Sequence, residues 1–182
     1  TNGDSSIGLY GVQQLVDIAP TTDTVGNINR ANDTWWRNNS TTSVGSFAAN
    51  GLDNMRTMYN TCSNEGQDNV DILLTTQTVF EYYEKVLQVQ ERFTDNKMAD
   101  GGFTNLKFKD KPLVFDSNCP SGYIYFLNTN YLELVVHSSA DLQTSDFVKP
   151  NNQDARTAQI LWMGNMVMSN AARQGILSGI TA

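Results

Sequence analysis

The chain has 182 residues, of which 12 are Lys or Arg and 19 are Asp or Glu, so its formal net charge is −7. A hydrophobic fraction of 40% can form a core and excludes wholesale disorder, whereas the negative charge excludes a strongly basic nucleic-acid binder. Only 17% of the residues are charged, and 20 Asn and 18 Thr supply much of the remaining polarity. A polar surface with few charges suits contact with other protein surfaces.

The net negative charge is confined to the first half of the chain. Residues 1–100 carry 6 basic and 13 acidic side chains, whereas residues 101–182 carry 6 of each. An acidic surface of this kind either faces solvent or meets a complementary surface on a neighbouring molecule.

The first 46 residues are rich in turn-forming residues and predict a loop-rich segment. Within it, residues 8–16 form either a short strand or a single helical turn. The chain opens on Thr-Asn-Gly-Asp, which is typical of the interior of a protein, so we expect a longer protein of which this is a part. The sequence contains no signal peptide and no apolar run near 18 residues, so it predicts no contact with a membrane.

Two helices and a strand are predicted in the middle of the chain. Apolar residues at spacings of three and four, including Met55 and Tyr59, predict a helix over residues 50–63. The apolar run at residues 70–74 predicts a buried strand, and a second amphipathic helix follows over residues 77–91. We expect both helices to pack on the sheet that contains this strand.

Strands dominate the predicted second half. Apolar segments between turn residues predict strands at residues 113–115, 123–127 and 131–137. Residues 157–169 are apolar at both odd and even positions, which predicts one long strand covered on both faces. Together the elements predict an α+β fold, in which a mixed sheet is flanked by two helices and a long C-terminal strand follows.

No set of residues in the sequence points to catalysis, a metal or a cofactor. Cys62 and Cys119 have no Cys or His neighbours at metal-ligand spacing, and Cys62 lies on an apolar helix face, which predicts a buried free thiol. His137, the single histidine, ends a strand without a G-x-S-x-G motif in the sequence, which favours a structural role over a Ser-His pair. The sequence therefore does not predict an enzyme.

Lys107, Lys109 and Lys111 alternate with other residues just before Pro112. In an extended segment this alternation places three ammonium groups on one face. Two interpretations are open: contact with an acidic partner, such as the first half of a neighbouring copy, or protection of an edge strand against unwanted pairing. They are compatible if the intended partner is another subunit. Nucleic-acid binding is disfavoured, because three lysines release few counterions.

The most unusual feature of the first half is Trp35-Trp36-Arg37, which follows Arg30 in a polar segment. Adjacent tryptophans in a loop cannot both point the same way, so we expect one to anchor on the core and the other to reach outward. Trp and Arg are common interface anchors, which makes these four residues, with the three lysines, candidates for a subunit interface. A purely intramolecular loop clamp is an equal alternative.

Several motifs follow one another along nearly the whole chain. They are Asn-Gly-Asp at 2–4 with Gly-Leu-Tyr-Gly at 8–11, Thr-Val-Gly-Asn-Ile-Asn-Arg at 24–30 with Trp-Trp-Arg at 35–37, the helix–strand–helix unit, and residues 106–114, 123–128 and 160–175. In order and spacing they resemble the major capsid proteins of tailed bacteriophages, which share the Hong Kong 97-like capsid fold. Asn27 stands where that family usually has a second Gly.

The resemblance implies a structural subunit of an icosahedral capsid, with pentamers and hexamers that enclose double-stranded DNA. The resemblance makes scaffolding and portal proteins candidate partners, and it does not imply sequence-specific nucleic-acid binding. It implies that the protein is located in the virion, after assembly in the host bacterial cytoplasm. The family's N-terminal arm, extended loop and spine helix would precede Thr1. Residues 1–46 would join the peripheral and axial domains, 47–155 would form the axial domain, and 156–182 would return to the peripheral domain.

Two other functions are open on the sequence. The first is another virion structural or adhesion module, such as a tail or surface domain; these are usually dominated by strands, so the two predicted helices argue against it. The second is a hydrolase that relies on His137.

Overall fold

The computed structural model describes residues 8–90 and 106–182, and its central element is a six-stranded sheet. The helices are α1 (Val12–Leu15), α2 (Leu52–Cys62) and α3 (Gln77–Gln90). The strands are β1 (Thr24–Val25), β2 (Ile28–Asn29), β3 (Asn39–Thr41), β4 (Gly45–Ser46), β5 (Ile72–Thr75), β6 (Lys107–Phe108), β7 (Lys111–Phe115), β8 (Ile124–Leu127), β9 (Leu132–Val136), β10 (Gln143–Thr144), β11 (Ile160–Leu161), β12 (Gly164–Met168), β13 (Gly175–Leu177) and β14 (Ile180–Thr181).

The central sheet is mixed, with the strand order β3-β13-β8-β5-β7-β6. Strand β13 is parallel to β3, β7 is parallel to β5, and the other neighbours are antiparallel. Strands from both ends of the described chain therefore lie side by side. The predicted α+β fold class, with a mixed sheet and two main helices, is confirmed.

Both main helices pack on one face of this sheet. In α2 the buried side chains are Met55, Met58, Tyr59 and Cys62, spaced so that they share one side of the helix. They form a single core with α3 and with sheet residues such as Leu73. Cys62 is a buried free thiol, as predicted, and burial raises its pKa to about 12, so it acts as a small apolar side chain at neutral pH.

The N-terminal segment covers the opposite face. Successive side chains of a strand point to opposite faces, so Tyr125 and Ile176 turn away from the helices and pack against Leu15 and Trp36. Leu15 belongs to α1, a single helical turn, which was one of the two predicted forms of this segment. The sheet is thus the middle of three layers.

The predicted long strand over residues 157–169 is instead two strands, and it is not covered on both faces. Strands β11 and β12 are separated by Trp162 and Met163, and Met163 is 61% exposed. They pair with β10 and β9 in an antiparallel arm over residues 132–168, which we call the ribbon. Residues 137–142 lie opposite only Trp162 and Met163. They contain a turn, in which the Ala140 amide donates to the His137 carbonyl at 3.0 Å, and this insertion divides the strand.

Strands from all three predicted segments share the central sheet. Strand β3 comes from residues 1–46, β5, β7 and β8 come from residues 47–155, and β13 comes from residues 156–182. The assignment of these segments to peripheral and axial domains stays a prediction.

Gly175 lies where β13 passes beneath α2, and the site has no room for a side chain. A Cβ atom there would come within 2.6 Å of both Cys62 Sγ and Met58 Sδ. We expect Gly175→Ala to lower the free energy of unfolding by about 1–3 kcal/mol, the usual cost of overpacking a core. Chemical denaturation followed by circular dichroism measures the change.

The control is the same substitution in a Cys62→Ala background. It should cost less there, because one of the two crowding atoms has been removed. Equal losses in both backgrounds would contradict the role of this contact.

Candidate assembly surfaces

The first candidate surface is residues 24–37, here called the Trp loop, which opens with a tight turn. Gly26 and Asn27 have φ values of +61° and +63° and join β1 to β2. Two successive positive values are the signature of a type I′ hairpin turn, and Asn adopts this left-handed conformation more readily than other side-chain-bearing residues. The turn therefore accommodates Asn27 at the position where the tailed-phage capsid proteins, which the sequence resembles, usually have Gly.

The buried side chain of Arg30 fixes the Trp loop by hydrogen bonds. Its side chain is fully buried; Nε donates to the carbonyl of Trp36 at 3.1 Å, and Nη2 donates to the carbonyl of Leu15. Burial lowers the pKa of Arg30, and the carboxylates of Asp23 and Asp17 act in the opposite direction. Because arginine remains charged at neutral pH, these are charge-assisted hydrogen bonds that join α1 to the loop.

The two tryptophans are divided as predicted, one inward and one outward. Trp36 is 8% exposed and its indole N–H donates to a β1 carbonyl at 3.1 Å, whereas Trp35 is 64% exposed. Arg37 donates to the carbonyls of Arg30 at 2.7 Å and Ala31 at 2.9 Å. Several hydrogen bonds therefore fix the conformation of the loop, and Trp35 is exposed to solvent. Arg30 and Trp36 are buried, so they can affect an interface only by fixing the loop.

The prediction that Lys107, Lys109 and Lys111 share one face is wrong. Lys109 and Asp110 have φ values of +49° and +65° and form the two-residue turn of a hairpin between β6 and β7. One lysine lies on each strand and one lies at the tip. The turn lacks Gly and Asn, so the usual sequence signal for it is missing.

Each of the three lysines has a partner within the chain. Lys107 Nζ lies 3.2 Å from Asp110 Oδ1, and Lys111 Nζ lies 3.9 Å from an aspartate carboxylate. Lys109 Nζ lies 4.6 Å from the centre of the Tyr59 ring, a cation–π contact. Because β6 is the outermost strand of the sheet, this arrangement fits the interpretation of a lysine-protected edge.

The structure does not bring the seven predicted interface residues together. The Trp loop packs on the sheet face that the N-terminal segment covers, whereas Phe108 of the lysine hairpin packs in the core on the helix side. The two groups therefore form separate surfaces, and their role in an interface stays a prediction.

A third surface, on the ribbon, was not predicted. Nine of its large apolar side chains are between 38% and 69% exposed: Leu134, Val135, Leu142, Phe147, Val148, Ile160, Leu161, Met163 and Val167. The sequence contained an indication of this surface, because a strand with apolar residues at both odd and even positions needs a packing partner on each face. The described residues do not supply both covers.

The described residues show little that suits catalysis. His137 is exposed, and its Nδ1 accepts a hydrogen bond from the Ser139 amide at 3.2 Å. Within residues 8–90 and 106–182 there is no group of three His, Cys, Asp or Glu side chains that could hold a metal ion. Across the same residues, every helix is too short or too polar to span a bilayer.

Comparison with known proteins identifies the fold. No protein-family model and no curated protein matches the chain. Among solved structures, the chain is similar to the capsid asymmetric unit of cyanophage A-1(L), with a TM-score of 0.66 and 14% identity. The match covers 96% of this chain and 60% of that chain, so this chain spans about three-fifths of its neighbour's length. The chain therefore has a fold like that of a phage capsid protein.

The burial of Trp36 gives a prediction about stability. We expect Trp36→Ala to lower the free energy of unfolding by about 3–5 kcal/mol, because it empties a large volume in the core and leaves a β1 carbonyl without its donor. Lys109→Ala removes only an exposed contact and should cost less than about 1 kcal/mol. Urea denaturation of both variants tests the difference, and similar midpoints would contradict it.

Proposed function

We propose that the chain is a structural subunit of an icosahedral bacteriophage capsid of the Hong Kong 97-like type, and that its copies assemble into pentamers and hexamers that enclose double-stranded DNA. The observation that carries this proposal is the likeness of fold to a cyanophage capsid protein over 96% of the chain. The ordered sequence motifs support it separately, because they resemble the same class of protein.

The helical content favours this function over a tail or adhesion module. Helices α2 and α3 have 11 and 14 residues and build the core on one face of the sheet. Tail and adhesion modules are usually sandwiches of strands, in which no such layer is needed. A sheet that is packed on both faces also suits a shell subunit, because such a core can keep its structure while the subunit contacts several neighbours.

The net negative charge of the chain is consistent with a shell that encloses DNA without binding it tightly. The net charge of −7 repels phosphates, so in this proposal the DNA is contained by the closed shell and no sequence is recognised. The subunit acts in the virion after assembly in the host bacterial cytoplasm, and its proposed partners are other copies of itself together with scaffolding and portal proteins.

Within the Trp loop, we assign the contact with a neighbouring subunit to Trp35. Its side chain is large and 64% exposed, and the hydrogen bonds of Arg30, Trp36 and Arg37 fix the loop before any contact forms. A rigid aromatic side chain loses little conformational entropy on binding, which is why Trp is common among interface hot spots.

Electron microscopy of the complete gene product, expressed alone or with a scaffold, tests the proposed function. The expected result is closed particles with five-fold and six-fold clusters of subunits. A protein that stays monomeric under every assembly condition would contradict it.

Trp35→Ala separates assembly from folding. We expect it to lower the free energy of unfolding by no more than about 1.5 kcal/mol, because the Trp35 ring centre lies 5.5 Å from that of Trp36 and this aromatic contact is lost, but to reduce the yield of assembled particles. Leu9→Ala is the control, because Leu9 is another exposed apolar residue outside the Trp loop. Thermal unfolding and particle counts are measured for both variants, and an unchanged yield for Trp35→Ala would exclude this residue from the interface.

A further inference from the structure

A cavity of about 160 Å³ lies between the N-terminal segment and the face of the central sheet that this segment covers. Asp17 and Ile18 line one wall, just after α1, and the opposite wall at β8 and β13 is lined by Tyr123, Tyr125 and Ile176. We call it the Tyr cavity. A cavity of about 150 Å³ can hold one benzene molecule, so this one has room for a ligand of about five or six heavy atoms.

One wall of the Tyr cavity carries a buried hydroxyl, that of Tyr125, whose side chain is 2% exposed. Within residues 8–90 and 106–182 this hydroxyl has no hydrogen-bond partner, whereas the hydroxyls of Tyr83 and Tyr131 each have one. Burial raises the pKa of Tyr125, and its charged neighbours raise it further, so the hydroxyl stays protonated and can donate or accept a hydrogen bond. Because buried polar groups are as a rule hydrogen-bonded, the free hydroxyl indicates a polar ligand.

The charges around the Tyr cavity favour a positively charged ligand. Of the described residues that line it, Asp17 alone is charged. Burial raises the pKa of Asp23, and the Asp17 carboxyl raises it further by its charge and by a side-chain hydrogen bond, whereas Arg30 acts in the opposite direction. The Arg30 guanidinium already donates to two carbonyls. With both carboxyls ionised, these three groups carry a net charge of −1, which attracts a monovalent cation.

The walls of the Tyr cavity are fixed and suit an organic cation better than a metal ion. The Asp17 amide donates to Oδ1 of the buried Asn38 at 3.1 Å, and Asn38 Nδ2 donates back to the Asp17 carbonyl at 2.7 Å. The Tyr123 and Tyr125 rings are stacked, with centres 6.3 Å apart. A carboxylate beside tyrosine rings and a hydroxyl binds ammonium groups, whereas Mg²⁺ and Ca²⁺ need more oxygen ligands than one carboxylate and one hydroxyl supply.

We propose that the Tyr cavity binds a small alkylammonium ion, with its ammonium group at the Asp17 carboxylate and the Tyr125 hydroxyl and its alkyl chain against Ile18 and Ile176. A free amine and the side chain of a lysine in another protein share this chemistry, and the test below includes both. The inference goes beyond the proposed capsid function and does not depend on it.

Titration of the isotope-labelled chain with n-butylammonium, followed by the NMR shifts of backbone amides, is the first test. Saturable shifts at Asp17, Tyr123 and Tyr125 are expected, with a dissociation constant of about 1 mM, as suits so small a ligand. Uncharged 1-butanol has the same size and should bind about ten-fold more weakly, because it lacks the charged hydrogen bond. Nα-acetyl-lysine amide separates the two sources: it binds as tightly as n-butylammonium if the cavity takes a lysine side chain, and more weakly if the cavity takes a free amine.

Variants of the walls identify the groups that bind. Asp17→Asn should weaken n-butylammonium binding about ten-fold, and Tyr125→Phe should weaken it about three-fold, the usual effects of losing a charged and a neutral hydrogen bond. The control is Asp141→Asn, which makes the same change of charge at an exposed position on the ribbon and should leave binding unchanged. Circular dichroism shows whether each variant is folded. Tyr125→Phe decides if Asp17→Asn is not, since it removes only the hydroxyl.

Several results would overturn the inference, whether or not the complete gene product forms shells. A cavity that holds only water would give no saturable shifts with n-butylammonium. Equal binding of n-butylammonium and 1-butanol would show that charge is not recognised. Equal losses in Asp17→Asn and Asp141→Asn would show a general attraction of cations to an acidic protein, and undiminished binding in folded Asp17→Asn or Tyr125→Phe would place the ligand elsewhere.

Discussion

The hydrogen bonds from the buried Arg30 guanidinium join the two pieces of chain that cover the second face of the central sheet. They connect the carbonyl of Leu15, at the end of α1, with the carbonyl of Trp36 in the Trp loop. Neither piece contains more than short helical or strand elements, so its position depends on bonds between side chains and backbone. Without the guanidinium, two buried carbonyls would lose their donors, and the cover, the position of Trp36 and the outward display of Trp35 would all be affected.

Much of the fold could be predicted because its signals are local. The spacing of apolar residues placed α2 and α3 within two residues of their observed ends, and the strand near Leu73 and the division of the two tryptophans were also predicted correctly. The hairpin at Lys109 was not predicted from the residue pattern, because its turn, Lys109-Asp110, lacks the Asn-Gly or Asp-Gly pair that usually marks such a turn. The ribbon was predicted wrongly as one strand buried within the chain. Apolar residues at both odd and even positions indicate that both faces of a strand are to be buried, but they do not show which part of which molecule buries them. The position of β13 in the sheet depends on pairing with β3 and β8, which are both distant from it in the sequence, and no local pattern encodes such pairing.

The molecule combines a body with a buried core and an arm whose apolar side chains are exposed. In the body, the sheet is enclosed by helices on one side and by the N-terminal segment on the other. The ribbon leaves this body with its base in the core and its outer apolar side chains in solvent. The same division explains why burial within the chain alone is a poor guide to which apolar residues matter.

The place of β13 has a consequence for protein synthesis. It lies between β3 and β8, so residues 39–41 have no partner on that side until residues 175–177 have been made. Domains made on the ribosome fold only when their elements are available, and unpaired strand edges promote misassembly. Translation that stops before residue 175 therefore leaves β3 separated from β8, and the truncated product lacks a complete sheet.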